Sequence, residues 1–553
     1  MPVLPQSATC VKMNNNPPAP ERVARVPRQL HEPLQLTRDE RELFDYLLRV
    51  KRHAGDGCDL ELRVCGGWVR DKLLGRESSD VDVVLDTMSA QDFAALVNAY
   101  ERACGQKERG VGVMRATAEQ ANGRRSLEVV TMQIGSMGKV DFASMTSSLA
   151  SEADASSLKV HEVRSGLISD ATGETVQQAF GTPLQDAERR DFTINSLFYN
   201  LSTQAVEDFT TQGIHDLRDG VLRMPLDARM MLLDDPIRAV RAVRFASQFD
   251  FAFEASLRSA LELEEVKHAL ATKISRRRLG QVLTETLVGA AARPGRAVQL
   301  IRDLGLLRPM LLPHVPELSL IVQQDGELVC VLAPVGAAAE GADNESSRHA
   351  RKLRVLGALL LPFAGLRVPK RDVSLPTYML RDSLKLSHQD AKDVDLGVLR
   401  SLEAVRELVH AGEFDRVRVG LVLRAIKPHW AACRDVALAQ ELVDNGARSP
   451  GCDAALRRRY DAFTASVVTS GLDDIARQPP LFSASLRAAR LRQGWLGWHL
   501  GAGGELVAAL GVRPGAAVKA LLDEVLVWQL ANPDAGRSAC LAHFRAHVSP
   551  GAS

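Results

Sequence analysis

The pattern of hydrophobic and polar positions divides the chain into two kinds of sequence. Between residues 60 and 142, short apolar runs such as LELRVCG, VDVVLD, SLEVVTMQI and KVDFA alternate with the amphipathic stretch AQDFAALVNAYERA. Runs of the first kind are typical of buried or half-buried strands, and the second has the period of a helix. From about residue 187 onward the apolar residues recur mainly at the helical period. The pattern predicts an α+β protein: a small mixed β-sheet with helices, followed by a helical remainder.

The amino-acid composition and the period of the hydrophobic positions together predict the domain boundaries. Residues 1–38 are rich in Asn, Pro and Arg and are predicted to be a disordered segment; no acidic residue precedes Glu21, so a plain tail and a targeting peptide are both compatible with it. A small, polar stretch at 142–157 predicts a loop. The remaining predicted regions are a head at 39–205, a helical neck at 206–300, a helical body at 301–440 with an exposed insertion near 333–352, and a helical tail at 441–553.

The overall composition narrows the classes of protein. The formal net charge is +1, so any nucleic-acid-binding surface must be local. The eight cysteines form no C-x-x-C pair and no zinc-finger spacing, which predicts a reduced, intracellular protein without a zinc site. The most apolar run, VLGALLLPFAGL, is too short to span a bilayer.

Candidate chemistry begins at Asp80 and Asp82, which sit two apart in a run that otherwise predicts a buried strand. Residues i and i+2 share one face of a strand, and two carboxylates so placed repel each other unless a cation lies between them. Just before them, Gly66 and Gly67 separate a strand from a short helix that carries Arg70, as in loops whose backbone N–H groups hold phosphates. Each feature alone is common; together they favour Mg²⁺-dependent nucleotidyl transfer.

The stretch GGWVRDKLLGRESSDVDVVLD resembles the signature of the class II nucleotidyltransferases, the family of tRNA CCA-adding enzymes and bacterial-type poly(A) polymerases. Later stretches resemble the family's further motifs in the same order. They are RRDFTINSLFYN (189–200), VEDFTTQGIHDLRDGVLR (206–223), DDPIRAVRAVRFASQFDF (234–251), the looser KISRRRLGQVLTETLVG (273–289), and VRPGAAVKALLDEVLVWQLANP (512–533), which resembles the tail of eukaryotic CCA-adding enzymes. The resemblance implies a polymerase-beta-like nucleotidyltransferase head followed by an all-helical neck, body and tail.

By this resemblance, Asp80 and Asp82 are the catalytic residues and hold two Mg²⁺ ions. A third carboxylate is either Asp141 or Glu128, and we favour Asp141 because it lies between apolar residues on the last strand before the predicted loop. An exposed strand carboxylate without a metal remains the alternative for both. The family's arginine five positions beyond the acid is Thr146 here.

The resemblance also assigns a set of nucleotide-binding residues. Guanidinium groups suit phosphates, and carboxylates accept hydrogen bonds from ribose hydroxyls. For Asp191 the alternative is a helix cap, and Glu207 and Asp208 in the third motif are expected to be structural. The assigned residues are Gly66, Gly67, Arg70, Arg189, Arg190, Asp191, Asn195, Asp235, Arg238, Arg241 and Arg244.

Asp235 and Arg238 admit two interpretations. At a spacing of three they would share a helix face, which suits an ordinary salt bridge. Cytosine and adenine, however, both present an amino donor beside a ring-nitrogen acceptor, whereas uracil and guanine present the reverse. A carboxylate and a guanidinium can therefore select C and A without a nucleic-acid template, and the resemblance assigns that role to these positions.

Two arginine runs are candidate RNA contacts, with solvated helix faces as the alternative. They contain Arg276, Arg277 and Arg278, and Arg457, Arg458 and Arg459. The function implied is addition of C, C and A to the 3′ acceptor end of tRNA from CTP and ATP. Poly(A) polymerization, CC-only or A-only addition, and a non-catalytic tRNA-binding factor are the alternatives. We expect no obligate protein partner, no membrane association, and a cytoplasmic protein with a nuclear or mitochondrial pool.

Overall fold

The computed structural model describes most of the chain in two compact units, residues 1–225 and 226–553, which are treated separately below. The described residues are 27–55, 59–78, 80–115, 128–134, 138–145, 164–169, 175–312, 345–368, 371–426, 429–446, 452–473, 516–535 and 537–547. Most of the predicted loop at 142–157 and the first part of the predicted insertion, 333–344, lie outside them.

The first unit combines a sheet with short helices. Its helices are α1 (Arg38–His53), α2 (Gly67–Leu73), α3 (Ala90–Ala103), α4 (Pro183–Arg189) and α5 (Gly213–Asp219), with a 3₁₀ turn at Thr193–Asn195. Its strands are β1 (Leu62–Cys65), β2 (Val81–Leu85), β3 (Val111–Arg115), β4 (Glu128–Gln133), β5 (Lys139–Ser144), β6 (Arg164–Ser169), β7 (Thr175–Phe180), β8 (Leu197–Asn200), β9 (Ala205–Asp208) and β10 (Val221–Leu222).

Seven of these strands form one mixed sheet in the order β3-β4-β5-β2-β1-β8-β9, and β6 pairs with β7 in a separate hairpin. All neighbours in the sheet are antiparallel except β2 and β5, which run parallel with Asp82 opposite Asp141. Along β2 the valines at 81 and 83 are buried and Asp82 between them is exposed. The alternation seen in the sequence therefore places this carboxylate on the open face of the sheet.

The turn between β1 and α2 is held in place by α1. Thr37 and Glu40 form a reciprocal capping box at the start of α1. The Glu40 carboxylate also accepts a hydrogen bond of 3.0 Å from the indole N–H of Trp68 and pairs with Lys72 at 2.8 Å. Both partners lie on α2 and are buried, so one carboxylate on α1 fixes the helix that follows the glycine turn.

Two expectations for the first unit need correction. The chain after residue 187 is not uniformly helical, because β8 pairs with the central strand β1 and β9 forms an edge of the same sheet. The segment GIHDLRD of the third motif is helix α5, and it ends at Gly220, whose left-handed conformation (φ 69°) favours glycine. Near the N-terminus, the described residues of the predicted disordered segment contact the head, where the backbone N–H of His31 donates to the carbonyl of Leu73.

The described residues of the second unit are mainly helical, with the two-residue strand β11 (Ala252–Phe253) and an isolated bridge between Arg367 and Ser374. Its described helices are α6 (Ala228–Asp234), α7 (Ile237–Phe249), α8 (Ala255–Glu262), α9 (Glu264–Thr272), α10 (Arg276–Val288), α11 (Pro294–Asp303), α12 (Leu307–Leu311), α13 (Glu345–Leu360), α14 (Leu375–Tyr378), α15 (His388–Lys392), α16 (Leu402–His410), α17 (Arg416–Ile426), α18 (Trp430–Gly446), α19 (Cys452–Thr469), α20 (Ala516–Ala531) and α21 (Arg537–His547). α14 and α15 continue into π-helical segments at Met379–Ser383 and Asp393–Val398.

Close backbone packing anchors α10 within this unit. A Cβ on Gly280 would lie 1.8 Å from the carbonyl oxygen of Leu384, so only glycine permits the contact. α13 begins at Glu345, inside the region predicted as an exposed insertion, and its apolar side chains from Leu353 onward are buried. The helical period of RHARKLRVLGALL was therefore a better guide there than the polar composition of the residues before it.

Candidate active site

The first unit brings Asp80, Asp82 and Asp141 together. One carboxylate oxygen from each lies within 4.8 Å of the others. Asp80 immediately precedes β2, Asp82 lies on it, and the parallel pairing with β5 places Asp141 directly beside Asp82. Across β4, Thr131 donates a hydrogen bond of 2.5 Å to Asp141. Glu128, the other candidate, lies at the start of β4, and the residue of β4 opposite Asp141 is Thr131. The sheet register therefore associates Asp141 with Asp80 and Asp82.

This cluster carries uncompensated negative charge. Among the described residues, none of the three carboxylates has an ion-pair partner. The environment raises the pKa of Asp82 to about 6, first through desolvation by the surrounding strands, then through the charges of Asp80 and Asp141, with Arg190 opposing. Asp82 nevertheless keeps exposed surface, so a hydrated cation can reach it. Three oxygen donors at an open face fit a hard divalent cation such as Mg²⁺.

The glycine turn lies beside this cluster through the pairing of Cys65 with Asp82. Gly66 adopts a positive φ of 74°, and a Cβ there would lie 3.2 Å from a guanidinium nitrogen of Arg190. The guanidinium of Arg70 folds back against Gly67, 3.5 Å from where its Cβ would be. The positive φ favours glycine at position 66, whereas a Cβ at position 67 would make only an ordinary contact. Two guanidinium groups lie against the turn that we predicted to hold phosphates.

Three of the predicted nucleotide-binding residues are close together on α2 and the segment after α4. Arg70 donates to the side-chain oxygen of Asn195 at 2.5 Å, and Asn195 donates to Asp191 at 2.9 Å. The same oxygen of Asp191 accepts from the backbone N–H of Phe192, so Asp191 does not cap the 3₁₀ turn, which has no side-chain cap. Arg70 is buried and also makes a two-pronged contact with Asp71.

Arg189 and Arg190 share one buried carboxylate that sequence reasoning missed. Asp186 is fully buried and contacts Arg189 at 2.5 Å and Arg190 at 2.8 Å. Burial alone would raise the pKa of Asp186, but the two guanidinium groups outweigh it and hold the pKa below its usual range. The spacing of three and four residues on one helix was an available signal for this pairing.

In the second unit, Asp235 is not on a helix. It lies between α6 and α7 in an extended conformation, because the following Pro236 disfavours a helical residue before it. The expected helix face shared with Arg238 is therefore absent, although the backbone N–H of Arg238 donates to the carbonyl of Asp235. Instead, the guanidinium of Arg278 on α10 donates one hydrogen bond to each carboxylate oxygen of Asp235, at 3.0 and 2.9 Å. We had predicted Arg278 as an RNA contact.

The other arginines of α7 flank one aromatic ring. The guanidinium carbons of Arg241 and Arg244 each lie 5.5 Å from the centre of the Phe245 ring. Arg244 also lies 3.5 Å from a carboxylate oxygen of Glu285 on α10. Arg238, one turn before Arg241, is buried in α7. These three arginines recur every third residue along α7 and form one basic row.

The two arginine runs have divided roles. Arg276 donates to the backbone carbonyls of Ser383, Pro309 and Met310, so its guanidinium is used inside the helical unit and does not support the predicted RNA contact. In contrast, five arginines of the two runs are exposed, although Arg278 is paired with Asp235 and Arg459 donates to His410 at 2.7 Å. The exposed ones are Arg277, Arg278, Arg457, Arg458 and Arg459.

Comparison with known proteins supports a common origin with enzymes that extend RNA. Residues 62–223 match the poly A polymerase head domain family. The mitochondrial CCA tRNA nucleotidyltransferase of Candida glabrata is 28% identical over 550 residues, covering 90% of this chain and 94% of that protein. The tRNA nucleotidyltransferase cca1 of Schizosaccharomyces pombe is also 28% identical and covers 92% and 96%. Poly(A) polymerase I of Haemophilus influenzae is 30% identical, but over only 35% of this chain and 36% of its own.

Solved structures show the same fold. The CCA-adding enzyme of Bacillus stearothermophilus, in complex with CTP, aligns with a TM-score of 0.58 at 15% identity, covering 93% of this chain and 98% of that one. The CCA-adding enzyme of Thermotoga maritima, complexed with tRNA_CCA, aligns with a TM-score of 0.53 at 18% identity, covering 93% and 97%.

Fold and homology together define the class: this chain is a nucleotidyltransferase with a poly A polymerase head and a helical remainder. The CCA tRNA nucleotidyltransferases of yeasts are similar to this chain along nearly their whole length. No described helix combines the length and apolarity needed to cross a membrane.

Proposed function

We propose that this chain adds C, C and A to the 3′ end of tRNA, using CTP and ATP and releasing pyrophosphate. The observation that carries the proposal is the Asp80, Asp82 and Asp141 cluster beside the glycine turn, in a chain whose full-length relatives are CCA tRNA nucleotidyltransferases.

Asp80, Asp82 and Asp141 would hold two Mg²⁺ ions. When bound, Mg²⁺ supplies charge stabilization for the attacking 3′ oxygen and the leaving pyrophosphate. The backbone N–H of Gly66 is donated to the carbonyl of Leu197, so the phosphate donors would come from Gly67 and the residues after it at the start of α2, where the helix dipole also favours an anion.

The network behind the turn orients the nucleotide. Arg70 holds Asn195, and Asn195 holds Asp191, so the Asp191 carboxylate is positioned to accept from ribose hydroxyls. Arg190, tied to buried Asp186, provides positive charge near Asp82 without neutralizing it through a direct ion pair. No covalent enzyme intermediate is required, because positioning and charge stabilization suffice for this reaction.

Base selection is assigned to the junction of α6 and α7. Asp235 would accept from the amino group of cytosine or adenine, and Arg238 would donate to the adjacent ring nitrogen. Arg241 and Arg244, on the same row of α7, are the proposed triphosphate contacts. Arg277, Arg457, Arg458 and Arg459 have exposed guanidinium groups that suit the phosphates of the tRNA acceptor arm.

The decisive experiment uses tRNA transcripts that end before, within and after CCA. Each is incubated with CTP alone, ATP alone or both, in Mg²⁺, and the 3′ ends are sequenced. We expect growth that stops at a complete CCA. Long adenosine tails would instead indicate a poly(A) polymerase, and growth that halts after CC, or A added only to CC ends, would indicate a partial enzyme. No growth at all would favour a tRNA-binding factor.

We also propose a mitochondrial pool of this enzyme alongside a cytoplasmic one. The support is that similar yeast proteins are named mitochondrial and that the first 38 residues are basic and proline-rich. Fusing residues 1–38 to a fluorescent protein tests this, with import into mitochondria expected for part of the population. Fluorescence confined to the cytosol would contradict the mitochondrial pool.

A further inference from the structure

A second group of metal-ligating side chains meets within the helical unit. It consists of His349 on α13, Asp393 at the start of a π-helical segment, and His429, which directly precedes α18. One ligand atom from each lies within 4.8 Å of the others. The three residues are far apart in sequence and come from three separate helical elements, so no spacing motif could have indicated them.

The distances within the group suit a transition-metal site. The Nε2 atom of His429 lies 3.1 Å from one oxygen of Asp393, and the Nε2 atom of His349 lies 3.7 Å from the other. Ligands about 2.0–2.1 Å from a tetrahedral Zn²⁺ ion lie about 3.3–3.4 Å apart. The two observed separations involve different oxygens of Asp393 and lie on either side of that value. A rotation of the carboxylate with small movements of the imidazoles would therefore bring the three ligands around one ion.

Neighbouring residues shape the site. Gln389 donates to Asp393 at 2.6 Å and so fixes the carboxylate, as outer-shell partners of metal ligands do. Gly397 makes room for the imidazole of His429, since a Cβ there would lie 3.0 Å from its ring. Asp393 also begins a π-helical segment, a geometry that occurs frequently at functional sites.

The charge balance favours a cation over a simple ion pair. The Asp393 carboxylate is 9% exposed, and a carboxylate so removed from water is costly unless a positive charge lies beside it. Lys352, one turn from His349, is paired with Asp390 at 2.8 Å. A divalent ion would supply the positive charge at Asp393, and His349, 42% exposed, leaves the site open to solvent.

We propose that His349, Asp393 and His429 form a Zn²⁺ site with an open fourth position for water. Bound Zn²⁺ would join α13, the π-helical segment and the start of α18, and so stabilize the helical body. The site is independent of the nucleotidyl-transfer chemistry. The absence of a cysteine motif excludes zinc-finger-type sites, but not a site made of two histidines and one aspartate.

The test uses full-length protein carrying Asp82→Asn, so that the catalytic carboxylates contribute less to metal binding. After chelator treatment, ZnCl₂ is added. Bound zinc is measured after gel filtration has removed the unbound metal, and Tm is measured with the excess of ZnCl₂ present. We expect one Zn²⁺ per chain and a Tm increase on the order of 5 °C at a hundredfold excess over Kd. His349→Ala and Asp393→Asn should each weaken Zn²⁺ binding at least tenfold, whereas His388→Ala, an exposed histidine outside the group, should not.

Equal zinc binding by all these variants, or no zinc retained by the parent, would overturn the proposal. A second measurement avoids dependence on the variants' folding. Co²⁺ is added to the unaltered chain and visible absorption is recorded. Intense bands of a four- or five-coordinate Co²⁺ that Zn²⁺ abolishes are expected, and the weak spectrum of hydrated Co²⁺ alone would contradict the site.

Discussion

The two units contain aspartates in opposite electrostatic situations. Asp80, Asp82 and Asp141 crowd one face of the sheet without an ion-pair partner among the described residues. Asp235, at a junction between two helices, is held on both oxygens by the guanidinium of Arg278. Both groups are accessible, since Asp82 is exposed and the Asp235 side chain is 29% exposed.

The difference separates two kinds of chemistry. Unneutralized like charges destabilize the protein and are relieved by a cation from solution, which is what a metal-dependent catalyst requires. A carboxylate that already has an internal donor is held in a fixed orientation and keeps lone pairs for one further donor, which is what recognition of a base edge requires. The following predictions test this comparison, beginning with the largest expected effect.

Asp82→Asn should lower the rate of nucleotide addition by at least ~10³-fold, because a metal ligand in the transition state is lost. tRNA binding should be unchanged. Because the substitution also removes a repelling charge, Tm in EDTA should be equal to or higher than that of the wild type, and Mg²⁺ should raise Tm only in the wild type. Single-turnover assays and thermal melts measure both effects. Near wild-type addition by this variant in Mg²⁺ would refute the metal assignment.

Asp141→Ala should reduce the rate by about 10²-fold or more, since Asp141 is the third oxygen donor of the cluster. Glu128→Ala is the matched control on the neighbouring strand β4 and should change the rate much less. Single-turnover rates at saturating CTP compare the two. The reverse ranking would show that the third carboxylate comes from β4.

Arg238→Ala should reduce discrimination against UTP and GTP by about 1–3 kcal/mol, by analogy with bidentate base contacts elsewhere. Asp235→Ala should weaken the use of CTP and ATP together, because both bases need the same acceptor. The measurement is kcat/KM for all four triphosphates. A general loss of stability would change all four values alike, so unchanged selectivity in both variants would leave these residues with a structural role.

Arg278→Ala should raise KM for CTP and ATP by about 3–10-fold, with a smaller loss of discrimination than Arg238→Ala, since it frees Asp235 to rotate. The cost in stability should be about 0–1 kcal/mol, as the pair is partly exposed. Arg278→Lys should rescue only partly, because an ammonium cannot grip both oxygens. The adjacent Arg277→Ala is the control and should change tRNA affinity and its salt dependence instead. Identical profiles for the two alanine variants would remove Arg278 from nucleotide selection.

Local sequence was sufficient for the elements that carry the head motifs. The strand ending at Cys65, the glycine turn and the strand holding Asp82 follow from short-range alternation and from glycine's tolerance of positive φ. Prediction was poorer where partners are distant, since β8 depends on pairing with β1, which lies far earlier in the chain. It was also poorer for GIHDLRD, which is a helix although its apolar residues are few. Pro236 could have indicated that Asp235 lies outside a helix, had the restriction on the preceding residue been applied.

The sequence by itself determined which residues carry the chemistry, because carboxylates at i and i+2, paired glycines and arginines at helical spacing are local patterns with direct physical consequences. Only the tertiary structure decided their partners. It placed Asp141 beside Asp82, paired Arg278 with Asp235, directed Arg276 to backbone carbonyls, and brought His349 and His429 to Asp393. Each of these contacts joins residues from different elements, and such long-range pairings depend on strand register and helix packing over the whole unit, which no short stretch of sequence contains.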